Sequence, residues 1–171
     1  KIHLDNVWLR TEPHPKYGFD LLIECEGDPY CKDTYFQWLD DQDLFDDYME
    51  QFKAGGHKDG YTRRIPEDKH MNNWIAGHVE DYFNDRQQDG KPFFLAVGFF
   101  DPHHPFDPCE PYASRFKPDD MPLPTYVEGE EEQMPPPSRK RFDNSCDITL
   151  DAPRIRRTIA AHHATINHVD A

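Results

Sequence analysis

Two adjacent histidines, His103 and His104, are the residues of this chain best suited to acid–base chemistry. Histidine is the usual proton carrier near neutral pH and a frequent contact for anions and metals. Asp101 precedes them, and all three polar side chains directly follow an unbroken apolar run. Proline restricts its own backbone and that of the preceding residue, so we expect a stiff, largely extended loop here, bracketed by Pro102, Pro105 and Pro108.

A second pair of candidates lies at the start of the sequence, where one residue separates Lys1 from His3. On an extended strand, side chains two residues apart face the same side. An ammonium and an imidazole on one side of a strand can hold an anion between them. As a bare pattern this spacing is common, so its meaning depends on the rest of the chain.

The apolar run Phe93–Phe100 predicts the element that positions the two histidines. A run of this kind between a turn and a proline is typical of a strand buried on both faces, which belongs to an α/β sheet. In α/β sheets, functional residues collect beyond the carboxyl ends of the strands. We expect helices over Pro66–Gln87 and Asp151–Ala171, and one or two short amphipathic helices within Thr34–Met49, to accompany the sheet.

The remaining histidines and the cysteines form no metal-binding motif along the sequence. His162, His163 and His168 lie on one predicted helix, where adjacent side chains diverge by about 100°. We therefore expect no metal site within this chain. The paired spacing of a zinc site is also missing among Cys25, Cys31, Cys109 and Cys146. Cys25 and Cys31 could form a disulfide if the protein is exported, and four reduced thiols are the alternative.

The charge of the chain argues against some classes of binding partner, and its low apolar content indicates that it is a piece of a larger protein. A net charge of -14 over 171 residues argues against nucleic acid and anionic membranes as partners. No apolar run approaches the roughly 18–20 residues of a membrane span. Apolar residues make up 36% of the chain, which leaves few elements to form an α/β core. We expect a surface excursion over 117–147 and interpret 1–171 as an internal segment of a larger α/β domain.

Several short stretches, taken in chain order, carry a family resemblance. They are Lys-Ile-His-Leu at 1–4, Lys-Pro-Phe-Phe-Leu at 91–95, Pro-His-His-Pro-Phe at 102–106, Pro-Cys-Glu-Pro-Tyr at 108–112, Met-Pro-Leu-Pro at 121–124 and Asn-His-Val-Asp-Ala at 167–171. In this order they resemble the motifs of the type I, formylglycine-dependent sulfatases of the alkaline-phosphatase superfamily. The family motif has a proline where this chain has Cys109.

The resemblance implies a partial alkaline-phosphatase-like (sulfatase) fold of the α/β class, with a central, largely parallel sheet flanked by helices. It implies a sulfuric ester hydrolase acting on a small-molecule or carbohydrate sulfate ester. By the same resemblance, Lys1 and His3 contact the sulfate and the formylglycine, and His103 contacts the sulfate and assists leaving-group protonation. His104 occupies a variable position of the motif and is assigned to the substrate side.

The family's nucleophile and metal ligands are missing from this chain. The nucleophile is a formylglycine made from a Cys/Ser-x-Pro-x-Arg motif, and a divalent cation, usually calcium, is held by aspartates and a downstream pair. The Cys/Ser-x-Pro-x-Arg motif does not occur in this sequence, and the resemblance implies that the metal-binding pair lies downstream of this segment. We therefore expect both groups outside the segment, in absent N-terminal and C-terminal parts of the domain, and no turnover by the segment alone.

Two other interpretations stay open beside the sulfatase. One keeps the superfamily but makes the substrate a phosphodiester or a phosphonate ester. The other is a non-catalytic, acidic, histidine-containing binding module. The resemblance fits an exported protein (periplasmic, secreted or lysosomal) as well as a cytoplasmic one, so it assigns no single compartment.

Overall fold

The computed structural model of the protein describes residues 16–31, 33–55, 60–86, 90–125, 127–139 and 151–171. Lys1, His3 and Cys146 lie outside these ranges. Helices of two turns or more in the described part are α1 (Thr34–Asp41), α2 (Phe45–Gly55), α3 (Met71–Arg86) and α4 (Ala152–Val169). Short 3₁₀ turns occur at Pro29–Cys31, Glu67–Lys69, Ala113–Arg115, Pro118–Asp120 and Glu130–Gln133.

The main hydrophobic core is formed by α1, α2 and the start of α3. The Asp33 carboxylate caps α1 by accepting hydrogen bonds from the backbone N–H groups of Tyr35 and Phe36. The apolar face of α1 buries Phe36 and Leu39 completely, against aromatic side chains of α2 and α3. The prediction that the aromatic stripe within Thr34–Met49 belongs to short amphipathic core helices is confirmed.

The two longer predicted helices are present with shifted starts. The helix predicted over Pro66–Gln87 is a 3₁₀ turn followed by α3, because His70 has an extended backbone (ψ 148°) that interrupts it. The helix predicted from Asp151 is confirmed, and the Asp151 side chain caps it by accepting from the backbone N–H of Arg154. None of the helices within the described ranges combines the length and apolar character needed to cross a membrane.

The predicted α/β fold with a central, largely parallel sheet is wrong for the described part of the chain. Residues 90–100 contain no strand, and the β-pairing within the described ranges is an isolated parallel bridge between Arg63 and Cys109. A buried strand needs backbone partners along its edges and apolar cover on both faces. Phe93 packs against Phe83 of α3 and Phe94 stacks on Phe19, but Phe94 remains 78% exposed, so the run lacks the full apolar cover of a buried strand.

Helix α4 packs against the chain that follows the two histidines. A second, smaller core cluster joins Cys109 and Tyr112 to Ala164 of α4. Arg156 of α4 donates hydrogen bonds to the backbone carbonyls of Asp119 and Met121. The described residues of the predicted 117–147 excursion are mainly exposed, although its first residues thus contact α4.

Candidate active-site turn and its buried support

The histidine turn, residues 100–105, reverses the chain after the apolar run. The backbone N–H of His103 donates to the carbonyl of Phe100 at 3.1 Å, which closes the turn. The loop therefore folds back, and the expectation of a largely extended loop is wrong. The ring centroids of His103 and His104 lie 4.2 Å apart in a stacked arrangement, and the Phe100 ring lies 4.9 Å from that of His103. Both imidazoles are exposed, so the turn presents them to solvent side by side.

The hydrogen bonding of His103 defines which ring nitrogen is available for chemistry. Its Nδ1 lies 2.7 Å from the backbone carbonyl oxygen of His104. A carbonyl oxygen can only accept a hydrogen bond, so Nδ1 carries the hydrogen. In the neutral ring Nε2 then holds the lone pair, and in the protonated ring Nε2 carries the transferable proton.

The predicted site residues are only partly described by the structure. His103 and His104 are brought into contact on the turn. Lys1 and His3 lie outside the described residues, so their convergence with His103 stays a prediction. Asp101 is buried instead of joining the histidines at the surface, and its carboxylate accepts a hydrogen bond from the Asn72 amide at 2.8 Å.

A buried ion pair between Arg63 and Asp107 anchors the chain just after the histidine turn. Arg63 Nε donates to Asp107 at 2.9 Å, a second guanidinium nitrogen donates to the same oxygen, and the Arg63 side chain is 1% exposed. The backbone N–H of Arg63 also donates to the carbonyl of Pro108 at 2.9 Å. Burial alone would lower the Arg63 pKa, but Asp107 and two neighbouring tyrosines raise it above its usual value, so the guanidinium stays charged.

A cavity of about 20 Å³ lies beside this ion pair, and its lining includes the polar side chains of Arg63, His70, Asn72, Asp101 and Asp107. Its volume is close to that needed by one water molecule. Asn72 Oδ1 is buried and has no hydrogen-bond partner within the described residues. Burial, reinforced by the negative charge of Asp107, raises the pKa of Asp101 to about 7. A protonated Asp101 can donate a hydrogen bond, and Asn72 Oδ1 is an acceptor that lacks a donor.

Replacement of Asp101 by asparagine is expected to change the pH dependence of stability. Between the ordinary aspartate pKa of about 4 and the folded value of about 7, the folded protein holds a proton that the unfolded chain has released. Wild-type stability therefore falls as the pH rises through this window, whereas asparagine does not titrate. In urea denaturation, we expect the free energy of unfolding of Asp101→Asn, measured relative to that of the wild type, to rise by about 2–3 kcal/mol between pH 5 and pH 8. A difference that does not vary with pH would show that Asp101 is not protonated in the folded protein.

A second buried polar group lies behind the turn and was missed by the sequence analysis. It consists of His70 at the start of α3, Cys109 after the turn and His168 in the last turn of α4, all buried. Burial is the main cause of three pKa shifts in this group. It lowers the pKa of His70 to about 3 and also lowers that of His168, and it raises the pKa of the Cys109 thiol to about 12. The three residues lie on separate elements, so spacing along one helix could not reveal them. The available signal was the departure from the family motif at Cys109.

Comparisons with known proteins support the family resemblance. No protein-family model matches the chain. It is 27% identical over 146 residues to an arylsulfatase of Clostridium perfringens (strain 13 / Type A), covering 81% of this chain and 28% of that protein. It is 30% identical over 120 residues to the multifunctional alkaline phosphatase superfamily protein PehA of Trinickia caryophylli, covering 63% of this chain and 23% of that protein. The chain spans about a quarter of the length of these curated relatives. The predicted resemblance is thus confirmed: the chain is similar in sequence to hydrolases of the sulfatase and alkaline-phosphatase superfamily.

Proposed function

We propose that the chain is an internal segment of the catalytic domain of a sulfuric ester hydrolase, a sulfatase acting on a small-molecule or carbohydrate sulfate monoester. The observation that carries this proposal is the similarity to an arylsulfatase over 81% of the chain. The exposed pair of imidazoles on the histidine turn supports it, because a basic alkoxide leaves a sulfate ester readily only when a proton donor lies at the departing oxygen.

The proposed roles follow from where negative charge develops in the reaction. As the S–O bond breaks, charge grows on the departing oxygen, and cationic donors fixed around the ester stabilise it. Lys1 and His3 bind the sulfate oxygens in this proposal. His103 donates the Nε2 proton to the departing oxygen, while its Nδ1–H stays bonded to the His104 carbonyl. His104, stacked on His103, contacts the substrate on the leaving-group side.

Two further groups belong to the proposal but lie outside this segment. A formylglycine supplies the attacking oxygen, and its Cys/Ser-x-Pro-x-Arg motif is placed in another part of the full-length protein. The divalent cation, calcium by the family resemblance, prefers six to eight oxygen ligands. In the described part of the chain, the residues grouped closely enough to hold an ion are His70, Cys109 and His168, which offer nitrogen and sulfur. These residues do not fit calcium, so no step is assigned to it here.

A second candidate function is hydrolysis of a phosphodiester or a phosphonate ester. The similarity to PehA, whose name places it in the alkaline phosphatase superfamily, favours a phosphorus ester, at 30% identity over 63% of the chain. A phosphodiester carries one negative charge and releases an alcohol, as a sulfate monoester does. The same cationic donors and the same proton donor therefore suit both substrate classes.

The test is a substrate comparison on the full-length protein. Nitrophenyl sulfate, bis(nitrophenyl) phosphate and a nitrophenyl phosphonate share one leaving group, so their kcat/KM values report the preference for sulfur or phosphorus. If the protein is a sulfatase, we expect the highest kcat/KM for the sulfate ester. Preference for a phosphorus ester would replace the sulfatase by the second candidate. No turnover of any of the three esters would favour a non-catalytic binding module.

A further inference from the structure

His70, Cys109 and His168 are arranged as three ligands of one metal ion. A candidate ligand atom from each residue lies within 4.8 Å of the other two, and Cys109 Sγ is 3.9 Å from His168 Nδ1. In a tetrahedral zinc site, a sulfur about 2.3 Å and a nitrogen about 2.1 Å from the metal are about 3.6 Å apart. Shifts of about 1 Å would close the group around an ion of this size. We propose that these three residues bind one divalent metal ion of the zinc type.

Hydrogen bonds already orient both histidines for this role. His168 Nε2 lies 2.7 Å from Asn73 Oδ1, so Nε2–H donates to the amide oxygen and Nδ1, beside Cys109, keeps the lone pair. The His70 ring is hydrogen-bonded to the backbone of Asp107. Metal-binding histidines characteristically donate their other N–H to an oxygen of this kind, which fixes the tautomer and the ring orientation. A metal on His70 Nδ1 would replace a long 3.3 Å contact from the backbone N–H of Asn72.

The types of the ligand atoms select the metal. Two imidazoles and one thiolate suit zinc and disfavour calcium and magnesium, which prefer oxygen. Metal binding displaces the proton of a coordinating thiol, so the ion and the Cys109 thiolate together carry one net positive charge. Glu67 supplies a nearby negative charge, since its carboxylate acts electrostatically on both Cys109 and His168 and accepts the Tyr112 hydroxyl at 2.6 Å.

A cysteine nucleophile is the competing chemical interpretation of the same residues. Cys109, His168 and Asn73 follow the order of a Cys-His-Asn triad. Cys109 is 0% exposed, however, so no substrate reaches its sulfur. A metal ion needs no such opening, because it can be captured while the chain folds.

A metal at this position would tie three separate pieces of the chain together. These are the start of α3, the bridge residue Cys109 that follows the histidine turn, and the end of α4. The inference does not depend on the proposed hydrolase activity. It also departs from the family resemblance, whose motif has a proline in place of Cys109.

The first test adds cobalt(II) to reduced, metal-free full-length protein, because cobalt reports sulfur ligation and zinc is spectroscopically silent. We expect a near-ultraviolet thiolate-to-cobalt charge-transfer band that saturates at one equivalent and is abolished when zinc displaces cobalt. We also expect zinc to raise the Tm, since an ion bound only by the folded protein stabilises it. Absence of both the band and the zinc-dependent rise in Tm would overturn the proposal without any variant.

Matched variants then assign the ligands. Cys109→Ser is expected to abolish the cobalt band, and Cys31→Ser, a second free cysteine, should keep it. His168→Gln should weaken zinc binding at least ~100-fold, whereas His163→Gln of the same helix should leave zinc binding unchanged. Asn73→Ala, which removes the hydrogen-bond partner of His168, should weaken zinc binding about 10–100-fold. A cobalt band that persists in Cys109→Ser, or that disappears in Cys31→Ser, would overturn the assignment.

Discussion

Replacing His103 by glutamine in the full-length protein is expected to lower kcat/KM for alkyl sulfates by about 10²–10⁴-fold. An alkoxide leaves slowly unless it is protonated, and glutamine cannot supply the proton that His103 Nε2 carries. A nitrophenolate leaves without this help, so the loss for nitrophenyl sulfate should be about tenfold or less. The measurement is kcat/KM over a series of sulfate esters with increasing leaving-group pKa. A plot of log kcat/KM against leaving-group pKa should have a steeper slope for the variant than for the wild type.

Two further histidine variants make this result specific. His163→Gln removes an exposed imidazole of α4, stacked on Phe116, and should leave kcat/KM unchanged. His104→Gln should raise KM more than it lowers kcat, because His104 is proposed to contact the substrate rather than to transfer a proton. An equal loss for all leaving groups in His103→Gln would assign His103 to sulfate binding and contradict its role as the proton donor.

Replacing Arg63 by methionine is expected to lower the free energy of unfolding by about 3–5 kcal/mol. The substitution keeps an apolar stem but leaves the Asp107 carboxylate buried without its partner, and a buried unpaired charge is strongly destabilising. It also removes hydrogen bonds from the guanidinium to the Tyr48 carbonyl and the Tyr61 hydroxyl. Urea denaturation at neutral pH measures the effect.

The neighbouring Arg64 provides a matched control. Arg64 pairs with Asp47 at 3.0 Å, but both side chains are substantially exposed, so Arg64→Met should cost no more than about 1 kcal/mol. The double variant Arg63→Met/Asp107→Leu removes both charges and should recover part of the loss, since an apolar pair of similar volume avoids the unpaired charge. A small effect of Arg63→Met, equal to that of Arg64→Met, would show that the ion pair does not anchor the histidine turn.

The fold was predictable where the signal is local. Asp151 is a good N-cap residue, and α4 begins immediately after it. The break at His70 was not predictable, because no glycine or proline marks the position where the backbone becomes extended. The run Phe93–Phe100 predicted a buried strand from local features, namely its apolar residues and the turn and proline that flank it. Strand pairing depends on distant segments, and in the described part of the chain no segment pairs with it.

The candidate site was likewise predictable only where its residues are close together in the sequence. The motif around His103 is contiguous, so the sequence was sufficient to select both exposed imidazoles of the turn. The buried support is non-local, since 44 residues separate Arg63 from Asp107 and 59 separate Cys109 from His168. Arg63 in particular falls in a glycine-containing stretch whose composition predicts only a loop. Its guanidinium lies 3.9 Å from the ring centroid of Tyr48 in α2 and 5.0 Å from that of Tyr61, so its burial depends on packing between separate segments.

The convergence of Lys1, His3 and His103 on one sulfate group is tested most directly by a crystal structure of the full-length protein with bound sulfate. We expect a single sulfate whose oxygens lie about 3 Å from Lys1 Nζ, a ring nitrogen of His3 and Nε2 of His103. A sulfate held by Lys1 and His3 with the His103 ring remote from it, or a sulfate that touches none of the three, would contradict the account.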